Sequence, residues 1–476
     1  MPAPTDATSL RRLVWLAVAA QLLLVLAGLR HHLVWGESER WPWLLPLLNA
    51  GEAACVVGFA ALSGIAWWRG MRLVDGAGLS PRRLVLLSLP ILFAAVLVPP
   101  FLSMDPIDYV VRGRVMALHG GNPYVQVATD FPGDPLLVYG DQAWKSFPNP
   151  YGPIVANVQA GVAWLAHRFG FLPSLGELIV GITLFKLLFP GCLVATALLA
   201  RGVAARLLPG SEDRALLAIL WNPVLVSEGV ANAHNEPLLV LATMGAVAAA
   251  VAGRAGTAAF ALALAVGSKF VRVLLGPVFV VHPVRQRRTA ALAAGVAASG
   301  ALALLFWWQF FRDEGSLDFL RRQTAQNSPS VVWLVQHLFA IDDVGRGLWP
   351  ARGIAVLVAL VAAVQVWRRP GARPFVVAAG VTMLVLMLLG FSQHGPWYHL
   401  WWLPLALVLG RGYVFRVACH VSVLAPLAHV GWAYTRAYEA PWHWLGLAGW
   451  LFVPLPAAVR WPAARPGVSP PAADPS

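Results

Sequence analysis

Two carboxylates, Asp105 and Asp108, stand three residues apart directly after a membrane-length apolar run. A carboxylate held at the mouth of a helix bundle can take the proton of an incoming hydroxyl as a general base. The end of a rigid element pins such a group in place. Arg112 and Arg114 follow at about helical spacing. They can pair with these acids or hold a phosphate through bidentate contacts. The competing reading is that they snorkel to lipid headgroups. All four residues lie in Ser103–Pro153, a polar interval of about fifty residues, and loops of that length inside a compact domain are usually functional. The interval also holds the turn Gly121–Tyr124, the acids Asp130, Asp134 and Asp141, and the turn Pro150–Pro153.

Three further clusters can do chemistry. In Trp221–Pro237 an apolar run ends in Glu228, Asn232, His234, Asn235 and Glu236. So many polar groups between spanning segments do not face lipid. His234 and Glu236 can bind sugar hydroxyls or a divalent ion; an ordinary polar turn is the alternative. Lys269 and Arg272 interrupt the apolar run Thr257–Val281. A charge in mid-segment costs about 2.5–3.5 kcal/mol on insertion scales. Broken half-helices lining a polar cavity meet that cost. The two cations can then grip a lipid phosphate, or pair internally with Glu228 or Glu236. Gln393–Trp402 packs two histidines among aromatics. His394, Tyr398 and His399 can donate to a pyranose or phosphate, and Trp397 can stack on a sugar face or a lipid chain. An interfacial aromatic belt explains the same residues.

The elements that must position these groups are membrane helices. The 476 residues are 58% hydrophobic and 12% charged, against about 25% charged in soluble domains. The net charge of +13 needs no nucleic acid, because cytoplasmic loops of membrane proteins concentrate Arg and no basic stretch carries interleaved recognition residues. Cys55, Cys192 and Cys419 each sit in an apolar run without ligand or disulfide spacing and read as packing residues. Residues 1–34 read as a retained first helix rather than a cleaved leader. About fourteen apolar segments follow from run length: 12–34, 43–67, 84–103, 177–200, 215–231, 236–252, 257–270, 271–283, 289–311, 351–367, 375–391, 398–411, 413–434 and 443–459.

The expected class is an all-α polytopic membrane protein with about 13–14 transmembrane helices. Its expected parts are N-terminal helices (1–103), an extracytoplasmic catalytic loop with a juxtamembrane helix (104–176), and a core with a re-entrant segment (177–311). A second outer loop (312–350), C-terminal helices (351–465) and a disordered tail (466–476) complete it. The Arg-rich connections fall on one side if the N-terminus is cytoplasmic, which puts Asp105 on the other. Ile154–Phe169 either spans or lies on the outer surface; the basic sidedness favours the surface.

The order Ser103-x-Asp105-x-x-x-Tyr109, Gly113–Arg114, Gly120–Tyr124 and Tyr151–Pro153 resembles the first extracytoplasmic loop of GT-C class glycosyltransferases that use polyprenyl-phosphate sugars. The likeness is greatest to bacterial α-mannosyltransferases acting on lipid-linked glycans. Asn222–Glu236 and Pro396–Tyr398 resemble the same family, and the likeness covers about residues 80–410. Where the family often has Asp after His-Asn, this chain has Glu236. A minimal scheme has one segment leading into the loop, so two extra N-terminal passes are expected.

The resemblance implies a GT-C-like bundle and transfer of a sugar, with mannose first, from a polyprenyl phosphate to a glycan or lipid-linked acceptor. Transfer would occur with inversion at the outer face of the cytoplasmic membrane. It assigns the base to Asp105, with Asp108 beside it. Within that reading Arg112, Arg114, Lys269 and Arg272 are the candidates for the donor phosphate, and Tyr109, Tyr124, Tyr151, Asn232, His234, Glu236, His394, Trp397, Tyr398 and His399 those for substrate contacts. A magnesium or manganese ion on Asp105 and Glu236 is left open. So is the alternative of a transporter or flippase for a lipid-linked sugar, which also suits broken helices with buried cations.

Overall fold

The computed structural model describes residues 4–34, 45–141, 144–172, 174–318, 330–339, 344–390 and 394–435. The expected segment 443–459 and the tail fall outside these. Every regular element among the described residues is helical.

Helices α1 (Pro4–Val34) and α2 (Leu45–Leu73) form an antiparallel pair. Helix α3 (Pro81–Val96) is capped by Ser80, whose hydroxyl accepts from Arg83 N at 3.4 Å. Polar residues then start α4 (Asp105–Ala117), with Asp105 and Asp108 in its positive first turn. Helix α5 (Pro153–Phe169) has Pro153 at its start, and α6 (Leu175–Leu207) runs 33 residues. Helices α7 (Glu212–Leu220) and α8 (Pro223–Val226) are one apolar run bent by 47°. The bend has a local cause. Asn222 accepts from Val224 N and Leu225 N at 3.0 and 3.1 Å, which starts a new helix ahead of Pro223. A π-helical turn, Ser227–Ala231, follows.

Helices α9 (Glu236–Val251) and α10 (Ala255–Ser268) pack side by side. Lys269 then breaks the helix in an extended conformation (φ −154°, ψ 117°) ahead of a 3-10 turn, Phe270–Leu275, and α11 (Gly276–Arg285). The break expected between 257–270 and 271–283 is therefore present. Helix α12 (Thr289–Phe306) lies at the periphery with Gly295 as its one buried residue. Later elements span 331–338, 344–368, 372–389, 413–424 and 428–435.

Seven described helices are individually long and apolar enough to cross a membrane, and the bent α7–α8 run would make an eighth. The remaining apolar segments are shorter or broken. The run 398–411, expected to span, is instead a 3-10 turn (Pro396–Trp401) and a five-residue helix (Leu403–Leu407). Pro396 and Pro404 each withhold an N–H from a continuing helix, and Gly410 and Gly412 (φ +63° and +99°) end the run. The run 84–103 likewise stops as a helix at Val96. Residues 154–169 do form a helix, and one face of it is buried against α4.

One large core joins α1–α3 to α6–α9, the 3-10 turn at 396–401 and the later helices. A second, smaller core of Ile107, Tyr109, Val110, Phe185, Phe189 and Ala233 lies under α4. It makes α4 a rigid platform rather than part of a loose loop.

Candidate active site

The platform carries Asp105. Its Oδ2 accepts from the Tyr109 hydroxyl at 2.7 Å, the Tyr151 hydroxyl at 3.3 Å and His234 Nδ1 at 3.0 Å. Tyr109 reaches it from one helical turn along, Tyr151 from the Pro150–Pro153 turn, and His234 from the connection between the π turn and α9. No described residue donates to Oδ1, and the Asp105 side chain is 30% exposed while that of His234 is 1% exposed. One oxygen is fixed by three donors and the other faces outward. Burial would push the Asp105 carboxyl up, but the His234 charge and the hydrogen bonds of His234 and Tyr109 outweigh it and hold it at about 2. Burial likewise opposes charge on His234, but Asp105 and Glu228 on its two sides push it up to about 10.

The His234 connection is strained where it turns. Ala233 is buried with φ +51°, a region that residues other than glycine rarely occupy. This kink directs His234 toward α4. Asn235 N donates to the Tyr109 hydroxyl at 3.2 Å, and Trp397 stacks on the His234 ring at 4.5 Å.

Lys269 enters from the break after α10. Its Nζ lies 3.0 Å from Glu236 Oε1 and 5.6, 5.1 and 4.8 Å from the rings of Tyr151, Tyr398 and Trp401. Arg272 is fully buried and donates from Nη1 to the Trp401 carbonyl at 2.9 Å. Its Nε and Nη2 are buried and have no partner among the described residues. The expected internal pairing thus holds for Lys269 with Glu236 and leaves Arg272 with unused donors. Tyr151 and Trp401 join these cations to Asp105. Alongside, α10, α11 and α12 enclose an apolar cavity of about 540 Å³ lined by Gly267, Phe270, Val273, Phe306 and Phe311 among others.

Other sequence candidates have structural partners. Arg112 donates to the carbonyls of Trp144 (2.6 Å), Phe147 (2.6 Å) and Pro148 (3.1 Å), clamping the far end of the loop. Arg114 pairs with Asp134 at 2.8 Å and with Glu177 on α6. Neither makes an ion pair with Asp105 or Asp108. Asp108 is buried and accepts from Asp141 N at 3.1 Å; burial pushes its carboxyl up to about 7. Tyr124 donates to the Tyr151 carbonyl at 2.8 Å and props that turn. Asn232 donates to Glu228 at 3.2 Å. His394 meets His399 at 5.1 Å, and His399 Nδ1 accepts from Trp402 at 3.4 Å.

Asp105 and Glu236, the acids considered for a divalent ion, face His234 and Lys269. Among the described residues no group of three or more His, Cys, Asp or Glu side chains is placed to hold a metal ion.

Sequence reading missed His429. It stands in an apolar run, where an ionisable residue signals function by default; its Nε2 lies 2.9 Å from Glu228 Oε1.

Residues 14–285 match the profile of the MptA_B family, described as alpha-(1->6)-mannopyranosyltransferase, N-terminal domain. The chain belongs to that family. No curated protein matches it. Membership makes the chain a glycosyltransferase that moves mannose from a sugar donor to a glycan acceptor, and the transporter reading is not favoured. The matched region begins at residue 14 and so includes α1 and α2. Asp105, His234, Glu236, Lys269 and Arg272 all lie within the matched span.

Proposed function

We propose that this mannosyltransferase takes mannose from a polyprenyl-phosphate donor and places it on a hydroxyl of a glycan or lipid-linked acceptor, at the outer face of the cytoplasmic membrane. The observation that carries the reading is the continuous cluster from Asp105 through Tyr151 to Lys269, and through Trp401 to Arg272. Asp105 Oδ1 takes the acceptor proton as the acceptor oxygen bonds to the anomeric carbon. The bond from that carbon to the phosphate oxygen breaks, and its electron pair leaves with the polyprenyl phosphate. Lys269 and the unused Nε and Nη2 donors of Arg272 offset the charge that grows there. Single displacement inverts the centre, so a β-linked donor gives an α product.

The donor lipid is supported by the apolar cavity, which shares Gly267 and Phe270 with the chain on both sides of Lys269. The sidedness is supported by α6. Glu177 at its start binds Arg114 of the loop, and Arg201 near its end binds Asp213. At 1.5 Å per residue these anchors are about 36 Å apart, enough to cross a hydrocarbon core of about 30 Å. The Asp105 end and the Arg-rich end therefore lie at opposite ends of the bundle. The positive-inside rule makes the Arg-rich end cytoplasmic.

The test uses tritiated mannosyl phosphopolyprenol and a short α-(1→6)-linked mannose oligosaccharide. Asp105→Asn should lose roughly 10²–10⁴ of turnover, the range of general base catalysis, while inserting normally. Wild-type turnover in that variant would reject Asp105 as the base. Label appearing only in a lipid-free acceptor supplied with nucleotide mannose would reject the donor.

A further inference from the structure

Behind Asp105 a line of ionisable side chains runs into the bundle. His234 Nδ1 lies 3.0 Å from Asp105 Oδ2, and His234 Nε2 lies 3.4 Å from Glu228 Oε2. Glu228 Oε1 lies 2.9 Å from His429 Nε2. Glu228 also accepts from Ser227 and from Asn232, each at 3.2 Å. Glu228, His234 and His429 are at most 1% exposed and are turned toward one another behind Asp105.

An ionised carboxylate only accepts, so His234 Nδ1 donates to Asp105 Oδ2. His234 Nε2 faces Glu228 Oε2 at 3.4 Å as an ionic contact without a hydrogen bond. Glu228 is anchored by Ser227 and Asn232 of its own turn and by His429 from the helix 428–435. Trp397 closes its face. A buried ionic chain of this kind is weak evidence for stability, since well-packed apolar groups often do as well.

We infer that Glu228 and His429 are positioning residues for mannosyl transfer: through His234 they fix which oxygen of Asp105 is bound and keep the other turned to the acceptor hydroxyl. The inference rests on the reading of Asp105 as base. When Asp105 takes the acceptor proton, the charged His234–Glu228 pair behind it stays balanced. The line therefore needs no rearrangement during the step.

The experiment is a double-mutant cycle on the purified full chain, with the tritiated donor and oligosaccharide above. Glu228→Gln should lower kcat by about 10–100-fold and leave both KM values within about twofold, because substrate contacts are untouched. In an Asp105→Asn background the same change should add less than about twofold, since residues acting through one another are not additive. His429→Gln, which still offers an N–H, should retain several times the kcat of His429→Leu. The His429 pair also serves if Glu228→Gln fails to insert. Additive losses in the cycle, a loss confined to KM, or equal kcat for His429→Gln and His429→Leu would overturn the inference. Full activity of Asp105→Asn would instead remove the base reading on which it stands.

Discussion

At the residue scale, the unequal treatment of the two Asp105 oxygens is the central feature. Three donors converge on Oδ2 and none of the described residues reaches Oδ1. The two cations divide their work differently. Lys269 already faces Glu236, whereas Arg272 holds two donors in reserve. Replacing Arg272 with Lys removes the planar fork but keeps a charge. Arg272→Lys should raise the donor KM about tenfold and leave the acceptor KM unchanged in initial-rate assays. Asp108 makes a pH prediction. Its raised carboxyl contributes stability below the unfolded value of about 4, and that contribution is lost as pH rises through about 7. Asp108→Asn should therefore unfold at a higher temperature than the parent at pH 8, with the gap closing by pH 4 in thermal melts. That Asp105 and Lys269 would stand in one cluster was legible in their types and places. The partners of Arg112 and Arg114 were not, because carbonyls at 144–148 and the carboxylate of Glu177 meet them only after the loop folds back.

At the element scale, glycines set the site's dimensions. A Cβ on Gly113 would stand 2.2 Å from the Gln159 carbonyl oxygen, so α4 and α5 touch backbone to backbone there. A Cβ on Gly152 would stand 2.2 Å from the Gly267 carbonyl oxygen, beside the Gly152 N to Ser268 O hydrogen bond of 2.9 Å. That contact seats the Tyr151 turn against the break that presents Lys269. Overpacking of this kind costs about 1–3 kcal/mol, and backbone cannot give way as a side-chain tip can. Gly113→Ala should lower the melting temperature, measured in detergent by intrinsic fluorescence. Gly152→Ala should reduce kcat more than stability, because it moves Tyr151 away from Asp105. The helix break at 269 was legible from Lys269 and Arg272, whereas the bend at Asn222–Pro223 falls inside 215–231, which was expected as one unbroken segment. The failure of 398–411 to form a spanning helix was less so, since apolar run length carries the sequence signal and Pro396 and Pro404 override it.

At the scale of the whole molecule, two cores divide the labour. The large one builds the bundle, and the smaller one fixes α4 against α6 and the Ala233 kink. The apolar cavity lies between α10 and the peripheral α12, and Gly267 and Phe270, which flank Lys269, line it. If it takes the isoprenoid chain, Ala303→Trp should raise KM for a long-chain donor about tenfold and have little effect on a donor with a two-isoprene tail. Equal effects on both tails would assign the cavity to packing.

Composition and run length by themselves determined an all-helical membrane protein, and the order of polar motifs determined its kinship with mannosyltransferases. Both are properties of the chain read locally, because burial in lipid demands apolar runs and a loop outside them can stay polar. Only the tertiary structure decided which charges meet. His234 is separated from Asp105 by 129 residues and His429 from Glu228 by 201. No local period encodes such pairings; they arise when bent helices and a strained turn bring buried ionisable groups to the same point and each must find a partner.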